Sequence, residues 1–219
     1  MELLSNDKFS AETVCLGPLN TNVGIISNRL TGEAIVIDVP PNAAESVSSM
    51  LASKKLRVIY VLITHGHWDH CGEAALLQQK GAMVFAHSGD SSWIEEPSTM
   101  SFFSSPDITL LSCKIDKYVD DIKEIELCDL NITIEYIPGH SNGSVGYFFE
   151  DLGIAFTGDV LFNGTVGRSD LPGGDKHRLF KSIRERIYSH KKDIIIVPGH
   201  GWTTTIGHEM ANNPYVRSK

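Results

Sequence analysis

Four of the six residues in His65-Gly66-His67-Trp68-Asp69-His70 are metal-type donors, and three more stand apart downstream: His140 in PGHSNGS, Asp159 in FTGDVLF and His200 in VPGHG. Imidazole and carboxylate are ligands that zinc, iron and manganese all accept. A set of this size suits two ions, and two ions with open positions make hydrolysis the leading chemistry. The set also constrains the fold, because segments spread from residue 65 to residue 200 must then meet at one place.

Those segments share one build: apolar strand, tight turn, donor. Residues 58–63 lead to Thr64 and His65, and 132–137 lead to Pro138, Gly139 and His140. Residues 154–156 lead to Thr157, Gly158 and Asp159, and 194–197 lead to Pro198, Gly199 and His200. Strands that share a layer and a direction open their turns at one edge, and α/β proteins form sites at the carboxyl ends of strands. Residues two apart in extended chain point the same way, so His65 and His67 can grip one ion together. Asp69 and His70 come as the chain enters a helix and can face a second ion. A helix N-terminus also favours negative charge.

The remaining pattern alternates strand and helix. Strands are expected at 24–27 and 33–39, joined at Thr31-Gly32, and at 58–63 and 82–86. Helices are expected at 43–53, where Val47, Met50 and Leu51 share a face, and at 71–80, ending at Gly81. The polar stretch 87–118, with Pro97 and Pro106, mixes short helix and loop. Paired strands follow at 122–127 and 130–137 around Cys128-Asp129, then a hairpin, 145–149 with 153–157, across Glu150-Asp151-Leu152. A helix at 176–189 carries Leu179, Phe180, Ile183 and Ile187 at helical spacing, and 194–197 is a final buried strand. Alternation argues α/β, and the hairpins argue mixed rather than purely parallel sheets.

The chain has 219 residues, 42% of them hydrophobic, enough for a full-sized core. Formal charge is 19 − 27 = −8, a poor match for nucleic acid or anionic membranes. Cys15, Cys71, Cys113 and Cys128 form no C-x-x-C pair, so free thiols are expected rather than a disulfide framework. MELLSNDKFS is not a secretory signal, and no apolar run approaches a membrane span. A cytoplasmic protein with a small-molecule substrate is the resulting expectation.

With these residues in view, the chain resembles the metallo-β-lactamase-fold hydrolases, most closely their glyoxalase II-like branch. GPLNTNVGII, IVIDVP, ITHGHWDH, PGHSNGSVGYFF, FTGDVLFNGTVGRSD, VPGHG and NPYV all carry the likeness, over nearly the whole chain. The resemblance implies an αβ/βα four-layer sandwich, two mixed sheets with helices on the outer faces, as a single domain over 1–219. It implies His65, His67 and His140 on one metal, Asp69, His70 and His200 on the other, and Asp159 bridging. The ions would be divalent, zinc first, with iron or manganese as alternatives. The implied activity is hydrolysis of an acyl thioester by metal-activated water, which Asp69 helps to orient. Glyoxalase II proper adds a helical C-terminal domain that helps bind glutathione; only nineteen residues follow His200 here, so glutathione itself is not implied. The alternative is a persulfide dioxygenase with a single iron on His65, His140 and Asp159. That group is similar in the loop Gly167-Arg168-Ser169-Asp170.

Several residues keep two readings. Asp38, after Ile35-Val36-Ile37, either orients a ligand histidine or is an ordinary strand-end turn residue. Arg168 either fixes an anionic group of the substrate or stabilises its own loop. Ser141, Asn142 and Ser144 either line the site or form a turn. Trp68 and Cys71 are expected to pack, and His87, His177, His190 and His208 lack ligand spacing, His87 being the nearest to an exception.

Overall fold

The computed structural model describes residues 1–100 and 108–217. Its first sheet takes its strands in chain order: β1 (Glu2–Ser5), β2 (Phe9–Leu16), β3 (Thr21–Asn28), β4 (Glu33–Ile37), β5 (Arg57–Leu62), β6 (Met83–Ala86) and β7 (Lys117–Tyr118). β1 to β4 form an antiparallel meander, and β4 to β7 are parallel neighbours. The connections carry α1 (Ala44–Ser53), α2 (Trp68–Cys71), α3 (Ala74–Gln79) and α4 (Ser91–Glu95).

The second sheet contains β8 (Glu124–Leu127), β9 (Leu130–Tyr136), β10 (Val145–Phe149) and β11 (Ile154–Gly158). A small separate hairpin, β12 (Leu161–Phe162) and β13 (Thr165–Val166), follows, and then α5 (Lys176–Glu185). β14 (Ile195–Pro198) and β15 (Thr204–Thr205) complete the sheet, and α6 (Ile206–Asn212) comes last. The spatial order is β15-β14-β11-β10-β9-β8, with only the β11–β14 pair parallel. Both sheets are therefore mixed. Among the described residues no helix is long and apolar enough to cross a membrane.

Period-two burial divides the interior into three cores. In β4, Ala34 and Val36 face α1 and α3 while Ile35 and Ile37 face the other sheet. In β5, Val61 faces outward and Leu62 inward. On the second sheet Tyr147, Phe149, Ile154 and Phe156 face inward, while Phe148, Ala155 and Ile196 meet Leu179, Ile183 and Ile206 from the helical layer. Strands buried on both faces must be apolar at every position. That is why 58–63 and 194–197 read as continuous runs in the sequence. Helix, sheet, sheet, helix is the four-layer sandwich expected.

The structure departs from the expected elements at places with local causes. The helix expected at 71–80 is broken into α2 and α3 at Gly72-Glu73. Gly72 packs so tightly that a Cβ would sit 2.6 Å from Trp68 O and 2.8 Å from Pro41 Cγ. Glu73 turns away to accept from the amides of Ala43 and Ala44, each at 2.9 Å. It thereby caps α1, whose own N-cap residue makes no side-chain bond. The helix expected at 176–189 ends at Glu185 and tightens into a 3-10 turn at Ile187–Ser189. β8 begins at Glu124 rather than at 122. The turn between β8 and β9 has Cys128 and Asp129 both at positive φ (52° and 60°), as a two-residue hairpin of this hand requires. β1, β2, the β12–β13 hairpin, β15 and α6 were not anticipated, since β2 interleaves Ser10, Glu12, Thr13 and Cys15 with its apolar residues. In the stretch 87–118 the described elements are α4, 3-10 turns at Ser88–Asp90 and Pro97–Met100 and, not expected there, the short edge strand β7; its residues 101–107, Pro106 included, lie outside the described residues. All four cysteines are free thiols.

The two sheets interlock at Gly24. A Cβ there would overlap the Phe156 ring of the opposite sheet, while the backbone of Gly24 needs no positive φ. Gly24→Val is expected to cost roughly 1–3 kcal/mol through overpacking. Phe156→Leu in the same chain is expected to relieve part of that loss. Denaturant unfolding of the four proteins measures the coupling, and strict additivity would overturn the contact.

Candidate metal centre

β9 and β10 are antiparallel, β10 and β11 are antiparallel, and β11 and β14 are parallel. β9, β11 and β14 therefore run in one direction, and their ends deliver His140, Asp159 and His200 to one edge. β5 of the other sheet reaches the same edge, where Thr64 O accepts the Val145 amide at 2.9 Å. Tyr147 Oη donates across the inter-sheet core to Ile63 O at 3.0 Å. The donors gather into three groups with mutual distances under 4.8 Å: His65, His67 and His140; His65, His70 and Asp159; Asp69, His70 and His200.

In the first group His65 Nε2, His67 Nδ1 and His140 Nε2 are 3.1, 3.2 and 2.9 Å apart pairwise. In the last, His200 Nε2 is 3.3 Å from His70 Nε2 and 3.1 Å from Asp69 Oδ2. The Asp159 carboxylate lies between the groups. Its Oδ1 is 3.4 Å from His70 Nε2, and its Oδ2 is 3.5 Å from His200 Nε2 and 3.8 Å from His140 Nε2.

In four of the five rings a partner on the far side fixes the tautomer. His140 Nδ1 donates to Arg168 O at 2.8 Å, His200 Nδ1 to Leu19 O at 3.1 Å, and His70 Nδ1 to Asp38 Oδ2 at 2.7 Å. Thr64 Oγ1 gives its proton to Asp38 Oδ2 at 2.7 Å, so it accepts from His65 Nδ1 at 3.1 Å. A ring that donates from Nδ1 presents an Nε2 lone pair. As neutral imidazoles, these four rings would turn Nε2 lone pairs towards one another in a buried space, beside the buried Asp159 Oδ1, which has no hydrogen-bond partner of ordinary geometry. Buried acceptors without donors are costly. Cations between them satisfy every one, so the residues fit a metal site.

The electrostatics agree. Burial, with neighbouring His70, His67 and His140, holds His65 well below the usual imidazole range. Burial and then His140 bring His67 down to about 3. Both rings are neutral donors at pH 7. Burial also opposes charge on His70, but Asp159, Asp69 and Asp38 together lift it well above the usual range. His200 is opposed by burial and pushed up to about 10 by Asp159 and Asp69. Burial works against the anionic forms of Asp159 and Asp69, yet His70 and His200 hold both carboxyls below the usual range. The pocket is built around carboxylates that demand positive charge. In the metal-free protein, protons on His70 and His200 meet that demand at the positions a cation would take.

Asp38 accepts from His70, from Thr64 Oγ1 and, at 2.8 Å, from the Thr64 amide, and it holds a positive φ of 61° to do so. Arg168 contributes its carbonyl to His140, while its exposed guanidinium pairs at two points with Asp170, at 2.8 and 2.9 Å. That geometry is the loop-stabilising reading of Arg168. Trp68 is buried in the core under α1, and Cys71 donates to Gly66 O and His67 O. His87 stacks on Tyr136 at 4.3 Å and His190 on Phe148 at 4.0 Å, outside the donor groups.

Three supports were missed in the sequence. Asp90 is buried and ties two ligand loops together: it accepts from Gly66 N and Ser141 Oγ through one oxygen, and from Gly143 N through the other, at 2.7–2.8 Å. Ser141 and Ser144 are thus structural parts of the His140 loop. Thr21 and Asn22 anchor the other side: Thr21 Oγ1 donates to Asp69 O, and Asn22 Nδ2 to Pro198 O and Gly201 O. Trp93 stacks on His67 at 5.3 Å. None carries a local signal, since each acts on a partner distant in sequence. Gly199 is required by close approach, because a Cβ there would overlap Asp159 Oδ1.

Comparison with known proteins agrees with this geometry. The model of the metallo-β-lactamase superfamily matches residues 16–200. Hydroxyacylglutathione hydrolase GloC of Haemophilus influenzae is 37% identical over 190 residues, 85% of this chain and 88% of the relative. The solved structure of BLEG-1 B3 metallo-β-lactamase superposes with a TM-score of 0.87 at 33% identity, covering 94% of this chain and 99% of that one. TTHA1623 in a di-iron-bound form gives 0.78 at 29% identity, covering 93% and 99%. The chain belongs to the metallo-β-lactamase superfamily and is one of its metallohydrolases.

Proposed function

We propose that the protein hydrolyses acyl thioesters, in the manner of glyoxalase II, with two divalent cations in this pocket. The observation that carries the reading is the pair of three-donor groups, with the Asp159 carboxylate between them. His65 Nε2, His67 Nδ1 and His140 Nε2 would hold one cation; Asp69, His70 Nε2 and His200 Nε2 the other; Asp159 would reach both. Zinc heads the expected ions, and iron and manganese accept the same donors. Bound there, divalent ions supply Lewis acidity to a carbonyl oxygen and bring the pKa of water from 15.7 to roughly 7. GloC's designation as a hydroxyacylglutathione hydrolase supports the thioester as substrate.

The chain's own residues orient the reaction. Asp69 stays anionic at neutral pH and faces the space between the groups, placed to accept a proton from the attacking water and fix its direction. Asp38 and Thr64 hold His70 and His65 in the tautomers that leave Nε2 open. A thiolate leaves without proton assistance, so the reaction needs no acid on the leaving-group side. Both sheets contribute donors, so they act as one catalytic domain. Arg168, already paired with Asp170, would meet a substrate anion only by exchanging that partner. A single-iron dioxygenase on His65, His140 and Asp159 would leave His67, Asp69, His70 and His200 without a role.

The decisive measurement is metal content of protein purified without added metal, with thioester hydrolysis and oxygen uptake on the same sample. Thioester hydrolysis without oxygen uptake from a persulfide is expected. His70→Ala is expected to lower metal content from about two ions to about one and to abolish most hydrolysis. A His70→Ala protein hydrolysing thioesters at the normal rate would refute the two-metal reading.

Loading the metal-free protein at pH 7 is expected to release at least about one proton. His200, raised to about 10, is protonated there and must give up its proton to bind a cation. Calorimetric titration in buffers of different ionisation enthalpy reads the number directly. Zero release would show that His200 is already neutral.

A further inference from the structure

His200 is the most open of the seven donors: its side chain is 26% exposed, against 14% for Asp159, 9% for Asp69 and 0% for His70. The mouth of the pocket therefore lies on this side. The segments around it carry three apolar side chains that are exposed or half-exposed. Leu19, whose carbonyl holds His200 Nδ1, is 51% exposed, and Trp202, two residues beyond His200, is 83% exposed. Phe162 lies half-buried with its ring 6.5 Å from the His200 ring, at 28°. The other two tryptophans are buried wholly or in part, whereas this indole, on the loop that follows His200, is left in water.

The segments bearing these side chains are held in place. The β2–β3 turn that carries Leu19 is tied to the His200 loop by Asn22 Nδ2 to Pro198 O and Gly201 O, both at 2.9 Å, and by a bridge between Thr21 and His200. The β12–β13 hairpin that carries Phe162 is tied to the same loop by Asn163 Nδ2 donating to Thr203 O at 3.0 Å. Rigid loops thus set exposed apolar side chains around one ligand, which lowers the ordering cost of binding.

We propose that Leu19, Phe162 and Trp202 form a platform for a hydrocarbon acyl chain, making the protein selective for long or aromatic acyl thioesters over acetyl. The proposal rests on the thioesterase reading, and it is the position of the platform that names its occupant. A thioester whose carbonyl lies between the metal groups must lay one of its two arms across the His200 side. Carrier thiols are polar and charged, so the arm that an apolar surface prefers is the acyl chain. The other side of the pocket suits the thiol arm, because near His140 it presents Asn142, with Tyr136 and Arg178 hydrogen-bonded to it.

The test uses thioesters of one small neutral thiol, N-acetylcysteamine, from acetyl to octanoyl. Full burial of a methylene is worth about fourfold in affinity, and a one-sided platform roughly half of that on a logarithmic scale, about twofold per methylene. With six methylenes added from acetyl to octanoyl, kcat/KM is therefore expected to rise on the order of sixtyfold along the series. Trp202→Ala is expected to collapse the octanoyl-to-acetyl ratio. Leu30→Ala, also apolar and 73% exposed but in the turn beyond the far end of β3, is expected to leave the ratio unchanged. A second arm measures binding of non-hydrolysable S-octyl and S-methyl thioethers of the same thiol by calorimetry and by tryptophan fluorescence. It is expected to show the same chain-length preference and the same loss in Trp202→Ala. A flat series, or a slope that survives Trp202→Ala, overturns the platform while leaving thioester hydrolysis standing. Absence of turnover on every thioester overturns the catalytic reading instead, and the thioether arm then decides the platform by itself.

Discussion

Imidazole nitrogens and carboxylates that converge on one buried space, and that only positive charge between them can satisfy, are the interaction on which this molecule depends. Four of the five imidazoles are pinned from behind, His70 by Asp38, His65 by Thr64, His140 by Arg168 O and His200 by Leu19 O, so that Nε2 points inward, and the His67 ring is stacked on Trp93. In water such groups would turn away from each other. Here they stay because their backs are hydrogen-bonded and their segments are locked into two packed sheets. Much of the fold around the site is support for that arrangement: Asp90 joins the loops at 66 and 141–143, and Asn22 joins the N-terminal meander to the loop at 198–201.

The inter-sheet core explains how such precision is held across a large sequence separation. β5 belongs to one sheet, and β9, β11 and β14 to the other. A shift of either sheet would separate His65 and His67 from His140. Tight contacts oppose that shift, among them Gly24 under the Phe156 ring and Tyr147 Oη on Ile63 O. Glycines next to the donors have a related role. Gly199 has no room for a Cβ beside Asp159, so its conservative replacement by alanine would displace the carboxylate that lies between the groups.

The electrostatic asymmetry of the pocket also has functional content. His65 and His67 are driven to neutrality by burial and by one another, whereas His70 and His200 are driven to charge by carboxylates. The two halves of the site thus begin from different protonation states. The half that must lose protons to take a cation is also the half that opens to solvent at His200, beside Leu19 and Trp202.

The donors themselves were legible in the sequence, because strand, turn and ligand are local patterns and because HGHWDH packs four donors into a short run. The central strands were legible for a related reason: burial on both faces leaves no polar position. The N-terminal strand β2, the break at Gly72-Glu73 and the final helix α6 were not, since polar residues interrupt the first, a partner in another element causes the second, and the third is a short helix tied down by its buried Glu209. By itself, then, the sequence determined the donor chemistry, the alternation of elements and the placing of each donor just beyond a strand. Only the tertiary structure decided which donors stand within reach of one another, which nitrogen His65, His70, His140 and His200 turn inward, that Asp38 braces His70 while Arg168 pairs with Asp170, and which donor is the most open to solvent. Those choices depend on hydrogen bonds and contacts between residues far apart in the chain, and no local pattern encodes a partner that folding alone brings near.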